Sequence, residues 1–386
     1  MEIILCVTGS IAAIQSVKLA RALKREGIEV KCFMSDEACK IIHPNAMEFA
    51  TGNEVVLDLT GKIEHVKYSQ ADLILVAPAT ANTISKFTYK IADNSINSLL
   101  ITAQGHKTPI LFVPSMHDSM YSAISENIEK LKKEGVNFIN PKINEGKAKF
   151  PDIDEIVLES IRISNLNSSN ADLKGKKVLI SLGGTYEAID PIRGISNRSS
   201  GKMGLEIAKE AYIRGADLKL IVGKVDVSIP KNMERIDTLS SKEMNQITKD
   251  IVKDYDIFIA TAAVSDFEPI EKEESKISSS INLSLEFKPT EKIIKQIKTI
   301  HPKIFLVGFK AEYDISKEDM INHGKKQIKS AGTDLVIAND VGVEGCEFGS
   351  DTNEVILIDK ENTEKISLQS KKEISKIIFN KILDKI

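Results

Sequence analysis

Short apolar segments alternate with amphipathic ones along the first half of the chain, and this alternation predicts an α/β fold. The strand-like segments are EIILCV, VKCFM, DLILVA and PILFV. They lack a strict alternation of apolar and polar residues, which is typical of strands buried on both faces. The segment between the first two presents one broad apolar helical face, formed by Ile14, Val17, Leu19, Ala20 and Leu23. Gly27 follows as a candidate C-cap, and a βαβ unit of this length predicts a parallel, doubly wound sheet.

The pattern stops near residue 165 and starts again about ten residues later. The segment RISNLNSSNADLKG is polar and has no periodicity, which is typical of a linker. New strand-like segments then follow, among them KKVLIS, DLKLIVG, DIFIATAAV, IFLVGFKA, DLVIAND and NEVILID, with a helix predicted over 201–214. We therefore expect two tandem Rossmann-like domains, 1–165 and 176–386, joined by a linker at 166–175. The charged, serine-rich segment 272–280 is predicted to be a solvated loop.

Composition narrows the class of protein. The 386 residues are 42% hydrophobic and 28% charged, as expected of globular domains. The formal net charge of −3 gives no general attraction to nucleic acid or an anionic membrane, so any polyanion site must be local. The four cysteines have no disulfide-like or CxxC spacing, and MEIILCV is interpreted as a strand and not an export signal. We expect a cytoplasmic protein with reduced thiols.

Small polar residues follow three of the strands in the first half. They are in VTGSIAA (7–13), APATANTISK (77–86) and PSMHDSMY (114–121). In a parallel sheet these strand ends share the carboxyl edge, where ligands bind. Each segment alone is also compatible with close packing, but together they favour a mononucleotide-type cofactor.

Two histidines accompany these segments. His65 precedes DLILVA, and His117 lies within PSMHDSMY. Each could be an ordinary surface or core residue. An imidazole near a ligand could instead exchange protons near neutral pH.

The stretch LGGTYEAIDPIRGISNRSSGKMG (182–204) links a predicted strand to a predicted helix. Gly183 and Gly184 permit close backbone approach, as in a nucleotide loop. The loop is too long for a dinucleotide fingerprint, and neither glycine turn has G-x-G-x-x-G spacing. The added chain carries Arg193 and Asn197 and is predicted to hold a second substrate.

The first half resembles the flavin-dependent cysteine decarboxylases, through VTGSIAA, the histidine before ADLILVAPATAN, and PSMHDSMY. The second half resembles the phosphopantothenate–cysteine ligases, through the 182–204 stretch, ATAAVSDF, GFKAE and DLVIAND. Together they resemble the family of bifunctional phosphopantothenoylcysteine decarboxylase/phosphopantothenate–cysteine ligases of coenzyme A biosynthesis. The resemblance covers nearly the whole chain.

For the first domain this resemblance implies a flavodoxin-like fold and FMN-dependent decarboxylation of phosphopantothenoylcysteine to 4′-phosphopantetheine. His65 matches the active-site histidine, as a base or an orienting group, and Met116 and His117 match substrate-binding positions. The matching FMN-binding positions are Gly9, Ser10, Ser35, Thr80 and Asn82.

The chain departs from this family at two positions of the first domain. His117 stands where the usual motif has asparagine, and either side chain can bind a substrate carboxylate. Many bacterial members have a cysteine in a flap near 145–150, whereas NEGKAKFPD has none. Lys147, Lys149 or a group elsewhere would then supply the closing proton.

For the second domain the resemblance implies that 4′-phosphopantothenate is joined to cysteine through an acyl-nucleotidyl intermediate. Asn197 and Lys276 match catalytic positions, Arg193 a substrate-binding position, and Asp266 a Mg²⁺ ligand. The matching nucleotide-binding positions are Gly183, Gly184, Ala263, Asp266, Lys276, Thr290, Phe309, Lys325 and Lys329. Lys325 and Lys329 would share a helix face, where simple solvation is the alternative. Lys326 is an alternative to Lys325, because the link to DLVIAND is about two residues longer than usual.

CTP is favoured over ATP because the fused arrangement is bacterial-like. The family also implies homo-oligomers, with decarboxylase trimers and ligase dimers combining into an assembly such as a dodecamer. Two other functions fit an α/β chain: an NAD(P)-dependent two-domain reductase or epimerase, and a non-enzymatic flavin- or nucleotide-binding regulator.

Overall fold

The structure is a computed structural model that describes residues 1–144, 147–278 and 283–386, without the side chains of 142–148. The chain divides into two compact units, Met1–Asp172 and Leu173–Ile386. Across the described ranges, no helix is long and apolar enough to cross a membrane.

Strands and helices alternate in the first unit. The strands are β1 (Glu2–Val7), β2 (Glu29–Met34), β3 (Val55–Val56), β4 (Leu73–Ala79), β5 (Ile110–Pro114), β6 (Met116–His117), β7 (Asn137–Phe138), β8 (Lys142–Asn144) and β9 (Lys147–Lys149). The helices are α1 (Ser16–Arg25), α2 (Asp36–Cys39), α3 (Pro44–Thr51), α4 (Glu64–Lys67), α5 (Ala81–Thr88), α6 (Ser95–Gly105), α7 (Asp118–Ala123), α8 (Ser125–Lys133) and α9 (Ile153–Leu166). A 3₁₀ turn, Ile11–Gln15, precedes α1.

The main sheet of the first unit has the order β3-β2-β1-β4-β5-β7, and every pair in it is parallel. Without the two-residue β3 this is the flavodoxin order, and with β3 it is the six-stranded dinucleotide order. Strand β1 is buried on both faces: Ile3 and Leu5 pack into one core, and Ile4 and Cys6 into the other. The predicted doubly wound fold is confirmed.

Helix α9 ends at Leu166 and so includes the first five residues of the segment RISNLNSSNADLKG, which was interpreted as a linker. Its serines are tolerated because their hydroxyls bond within the helix: Ser160 donates to the Ile156 carbonyl at 2.7 Å and Ser164 to the Ser160 carbonyl at 2.9 Å. Ile163 is buried against the first core. The polar composition of RISNLNSSNADLKG therefore predicted a linker where the structure has the last residues of α9.

The second unit has a similar arrangement with a longer sheet. Its strands are β10 (Lys177–Leu182), β11 (Tyr186–Ala188), β12 (Gly194–Ser196), β13 (Asp217–Val222), β14 (Glu234–Asp237), β15 (Ile257–Ala260), β16 (Phe267–Pro269), β17 (Phe287–Pro289), β18 (Phe305–Glu312), β19 (Leu335–Asp340), β20 (Thr352–Ile358) and β21 (Thr363–Ser370). Its helices are α10 (Lys202–Ile213), α11 (Ser241–Ile251), α12 (Ile294–Ile300), α13 (Lys317–Ala331) and α14 (Lys371–Leu383), with a 3₁₀ turn at Val252–Asp254.

The second sheet has the order β14-β13-β10-β15-β18-β19-β20-β21. Strands β14 to β19 are parallel, but β20 and β21 are antiparallel to their neighbours, so this sheet is mixed and not purely parallel as expected. The reason is the connection. A loop, and not a crossover helix, leads from β19 to β20, and only an antiparallel neighbour can be reached in this way. In both sheets the strand order reverses beside the first strand.

Candidate active sites

Hydrogen bonds join the strand ends at the carboxyl edge of the first sheet. Thr8 Oγ1 donates to the Pro78 carbonyl at 2.7 Å and accepts from Thr80 N at 3.1 Å. Ser10 Oγ donates to the Ser115 carbonyl at 3.1 Å. The ends of β1, β4 and β5 therefore meet at one place, the point where the strand order reverses and where such sheets bind ligands.

Residues expected to contact a flavin surround this edge. Ser35 and Thr80 begin α2 and α5 as N-caps, accepting from the third residue of their helices at 3.2 and 3.3 Å. Asn82 is exposed on α5. Gly9 has a packing role as well, because a Cβ there would collide with the Cβ of Glu37. The loop thus needs glycine whether or not a ligand is present.

His65 does not join this group of strand ends. It lies on α4, which packs against α6. Just after α4, the Ser69 hydroxyl lies 2.9 Å from His106 Nδ1, and the Ser69 carbonyl accepts from the Thr108 hydroxyl at 2.6 Å. Those residues precede β5, so α4 leads to the amino edge of the sheet. Nδ1 of His65 is buried without a hydrogen-bond partner among the described residues. A buried, unpaired ring nitrogen is uncommon and needs an explanation.

Met116 and His117 form β6, which pairs with β9 in a small antiparallel sheet, β6-β9-β8. The register places His117 opposite Lys147 and Met116 opposite Ala148. His117 is exposed, and its Nδ1 lies 3.0 Å from the Ser119 hydroxyl. Glu145, Gly146 and the side chain of Lys147 lie outside the described residues, and Lys149 is exposed.

The second unit contains a large cleft of about 1130 Å³ at the carboxyl edge of its sheet. Its walls come from the ends of β10, β15, β18 and β19 and from the start of α10, again where the strand order reverses. Seven cationic side chains and three carboxylates line it: Arg198, Lys202, Lys292, Lys295, Lys310, Lys326 and Lys371, with Asp266, Glu312 and Glu347. An acidic chain therefore contains a local basic cleft suited to a polyanion.

Gly183 and Gly184 form the turn after β10. Gly183 has φ +86°, and a Cβ there would lie 2.6 Å from the Lys224 carbonyl oxygen. Gly184 exchanges two backbone hydrogen bonds with Lys224, at 2.9 and 2.7 Å. Close backbone packing, and not contact with the cleft, thus accounts for the first glycine.

Asn197 and the start of α10 lie on the cleft wall. Asn197 Nδ2 donates to the Ala263 carbonyl at 3.1 Å, which fixes the amide and joins the 182–204 stretch to the end of β15. Gly201 precedes α10 with φ +79° and makes no side-chain cap bond. Lys202 N donates to Ser200 Oγ at 3.4 Å. The next N–H groups of the first turn and the helix dipole favour an anion here.

Asp266 lines the cleft and pairs with Lys292. Thr290 supports this turn, because its N donates to the Asp266 carbonyl at 3.0 Å and its hydroxyl to the Ser265 carbonyl at 2.5 Å. Phe309, on β18, also lines the cleft. Among the described residues, those that line the cleft include Lys326 but not Lys325, Lys329 or Lys276.

Arg193 is half-buried and bonded to other residues of the second unit. It donates to the Ile277 carbonyl at 2.5 Å and lies 3.4 Å from the buried Asp190 carboxylate. Asp190 also accepts from the N–H groups of Ile192, Arg193 and Ile277, at 2.8, 2.7 and 3.2 Å. These bonds attach the segment carrying the exposed Lys276 to the 182–204 stretch.

Sequence reasoning missed the loop between β19 and β20. Lys202 on α10 reaches this loop, donating to the Gly349 carbonyl at 2.5 Å and to Asp351 at 2.7 Å, and Lys371 donates to the Ser350 carbonyl. Burial, and then the charge of Lys202, lower the pKa of Lys371. The glycine-containing segment EGCEFGSDTN after DLVIAND was the available signal.

Each unit is thus a doubly wound α/β domain with polar groups gathered at its switch point, the class of protein that binds nucleotide-like ligands there. Residues 1–164 match the family described as Flavoprotein, and residues 173–386 match the DNA/pantothenate metabolism flavoprotein C-terminal domain. The chain belongs to the family of coenzyme A biosynthesis bifunctional proteins CoaBC, and is therefore a decarboxylase and ligase enzyme. This membership favours neither the NAD(P)-dependent enzyme nor the non-enzymatic regulator.

The relatives match along their whole length. The CoaBC protein of Thermococcus kodakarensis is 47% identical, covering 99% of this chain and 94% of its own. That of Methanocaldococcus jannaschii is 41% identical, with 99% and 93% covered. Among solved structures, the C-terminal domain of a CoaBC protein is 29% identical, covers 55% of this chain and 96% of its own, and has a TM-score of 0.47.

Proposed function

We propose that the second unit joins 4′-phosphopantothenate to cysteine by activating the carboxylate as an acyl-nucleotide, with CTP as the nucleotide. The observation that carries this proposal is the cleft: seven cationic side chains line it, Asn197 is fixed on its wall, and the N-terminus of α10 opens into it. A reaction with two phosphorylated ligands needs this local excess of positive charge, because the chain as a whole is acidic.

Each wall of the cleft has a separate task in this proposal. The start of α10 and Lys326 bind phosphate oxygens, and Phe309 contacts the base. The Asn197 side chain is held because one Nδ2 hydrogen is donated to the Ala263 carbonyl. Its second Nδ2 hydrogen can donate to the acyl-nucleotide carbonyl. Arg193 is a positioning residue, because its hydrogen bond to the Ile277 carbonyl holds the segment that carries Lys276.

The residues present fit a Mg²⁺ ion that is held mainly by phosphates. Asp266 supplies one exposed carboxylate at the cleft, and no cluster of three or more His, Cys, Asp or Glu side chains suited to a metal occurs in the described ranges. Mg²⁺ commonly takes one or two carboxylates and completes its coordination with phosphate and water. Lys292 would have to release Asp266 when the metal binds.

We propose that the first unit binds FMN at the joined ends of β1, β4 and β5 and decarboxylates phosphopantothenoylcysteine. The capped starts of α2 and α5 and the turn at Gly9 and Ser10 form a cradle that fits a phosphorylated flavin. The flavin supplies the oxidation and reduction at the thiol-bearing carbon. In this proposal His65, whose buried Nδ1 has no partner among the described residues, must become accessible to act on the substrate, and the exposed His117 binds the substrate carboxylate.

The ligase half is tested by pyrophosphate release from full-length protein with phosphopantothenate, cysteine and each nucleotide. CTP should give the highest kcat/KM. Asn197→Asp should abolish amide formation, since a carboxylate cannot donate to Ala263 and would repel phosphates, while flavin binding and decarboxylation persist. If no nucleotide supports pyrophosphate release, the ligase activity is refuted. If ATP gives a higher kcat/KM than CTP, the choice of CTP is refuted.

The decarboxylase half is tested with His65→Asn, which should keep the visible flavin spectrum but lose CO₂ release. His43→Asn is the matched control, because His43 is an exposed N-cap of α3 and asparagine caps helices well. Normal turnover in His65→Asn would remove His65 from the mechanism. Protein purified without a flavin spectrum would contradict FMN binding.

We also propose that the enzyme works as a cytoplasmic homo-oligomer built from decarboxylase trimers and ligase dimers. Light scattering of the purified chain gives the mass of the assembly. A monomer with full activity in both halves would contradict this part of the proposal.

A further inference from the structure

We propose that His323 is the general base that accepts a proton from the attacking amine in the amide-forming step, with Glu312 as its positioning residue. This inference rests on the proposed ligase function and concerns only its second half. His323 and Glu312 both line the cleft, on α13 and at the end of β18.

The two side chains form a hydrogen-bonded pair. His323 Nδ1 lies 2.8 Å from Glu312 Oε1, with the histidine 46% exposed and the glutamate 20% exposed. Because a carboxylate only accepts, Nδ1 is the donor in this pair, and in the neutral imidazole Nε2 has the lone pair. A general-base histidine is commonly oriented in this way, by a carboxylate that fixes the tautomer of a partly exposed imidazole.

Neighbouring groups hold this pair at the cleft. Lys310 Nζ lies 3.2 Å from the same Glu312 oxygen, and the Glu312 carbonyl accepts from Val341 N at 2.8 Å, which fixes the end of β18. Lys326 lies one helical turn after His323 on α13 and also lines the cleft. The imidazole therefore shares a helix face with a side chain proposed to bind phosphate.

The second half of the reaction needs such a group. The cysteine amine must arrive with a free lone pair, and its nitrogen loses a proton as it attacks the acyl carbon. The C–N bond forms, the bond from the acyl carbon to the phosphate oxygen breaks, and the nucleoside monophosphate leaves with that electron pair. His323 Nε2 takes the proton, and no oxidant or further reactant is needed.

The first half needs no base, because a carboxylate attacks the nucleotide without losing a proton. A base should therefore affect the two halves differently, whereas a residue that binds nucleotide should affect both. Pyrophosphate release without cysteine measures the first half, and conversion of the accumulated acyl-nucleotide on adding cysteine measures the second, both in single turnovers.

His323→Ala should slow the second half about 10²–10⁴-fold, the usual contribution of a general base, and change the first less than about twofold. Added imidazole should restore part of the lost rate. With hydroxylamine as the nucleophile the loss should shrink, because its weakly basic nitrogen becomes more acidic on attack than that of cysteine and gives its proton to water more readily. Glu312→Gln keeps a hydrogen-bond acceptor but removes the charge and should show a smaller loss with the same selectivity.

His301→Ala is the matched control, since His301 follows α12 and is not among the described residues that line the cleft. Pyrophosphate release in the first half confirms that the second unit of each variant is folded. Equal loss in both halves, an unchanged second half, or a loss that neither imidazole nor hydroxylamine reduces would overturn the inference. Failure of the wild-type first half would instead contradict the proposed function.

Discussion

The turn after β10 makes Gly183→Ala a quantitative test of how the 182–204 stretch is held. Gly183 has φ +86°, and an added Cβ would lie 2.6 Å from the Lys224 carbonyl oxygen and 2.8 Å from Val225 Cγ1. The left-handed backbone costs a residue with a Cβ about 1–2 kcal/mol, and forcing a methyl group into packed surroundings about 1–3 kcal/mol. The free energy of unfolding of the second unit should therefore fall by about 2–5 kcal/mol.

Calorimetry of the full chain measures this loss, and hydrogen exchange at β10 and β13 assigns the transition to the second unit. The Tm of that transition should fall by about 4–20 °C. Gly175→Ala is the control for the backbone term, because Gly175 has φ +81° but nothing within 4 Å of an added Cβ. It should cost only about 1–2 kcal/mol. Equal losses in the two variants would refute the close approach as the reason for glycine.

Three further changes test the second unit. Lys326→Ala should raise KM for the nucleotide about ten- to a hundredfold, the value of a charge-assisted hydrogen bond, and Lys325→Ala should not; equal effects would contradict the position of Lys326 on the cleft. Burial raises the pKa of Asp190, but three backbone N–H groups and the Arg193 guanidinium outweigh it and lower the pKa overall. The stabilisation by the Asp190 carboxylate is therefore complete above the unfolded pKa and lost as pH falls through the folded pKa. In urea titrations, Asp190→Asn should lower the free energy of unfolding of the second unit at neutral pH, and this loss should disappear in acid. A loss that is the same at both pH values would show that the charge of Asp190 does not stabilise the unit. Phe258→Ala, at a side chain 1% exposed, should cost about 3–5 kcal/mol by urea unfolding, and a loss below 1 kcal/mol would contradict its core position.

The candidate sites were predictable to different extents. The residues after the strands could be predicted to meet, because parallel strands must bring their carboxyl ends to one edge. There Ser10 is bonded to Ser115, and Thr80 to Thr8. Side chains from helices were not predictable in the same way. Spacing along α13 puts Lys325 and Lys329 on one face, but only packing decides that Lys326 lines the cleft.

Arg193 shows a second reason for the difference. A motif tells which residue is present but not which group it binds, and a guanidinium can bind a phosphate as well as a buried carboxylate. The structure provides Asp190 and the Ile277 carbonyl, two partners distant from each other in sequence. Contacts between segments this far apart leave no mark in local periodicity.

The sequence alone determined the two doubly wound domains, since runs of residues buried on both faces, separated by amphipathic helices, fit few other arrangements. It also determined the glycine turns, because local backbone geometry is encoded by the residues that adopt it. Tertiary structure alone decided the antiparallel edge of the second sheet, the basic cleft and the His323–Glu312 pair. These depend on which distant surfaces pack together, and packing is set by shape and charge across the whole fold.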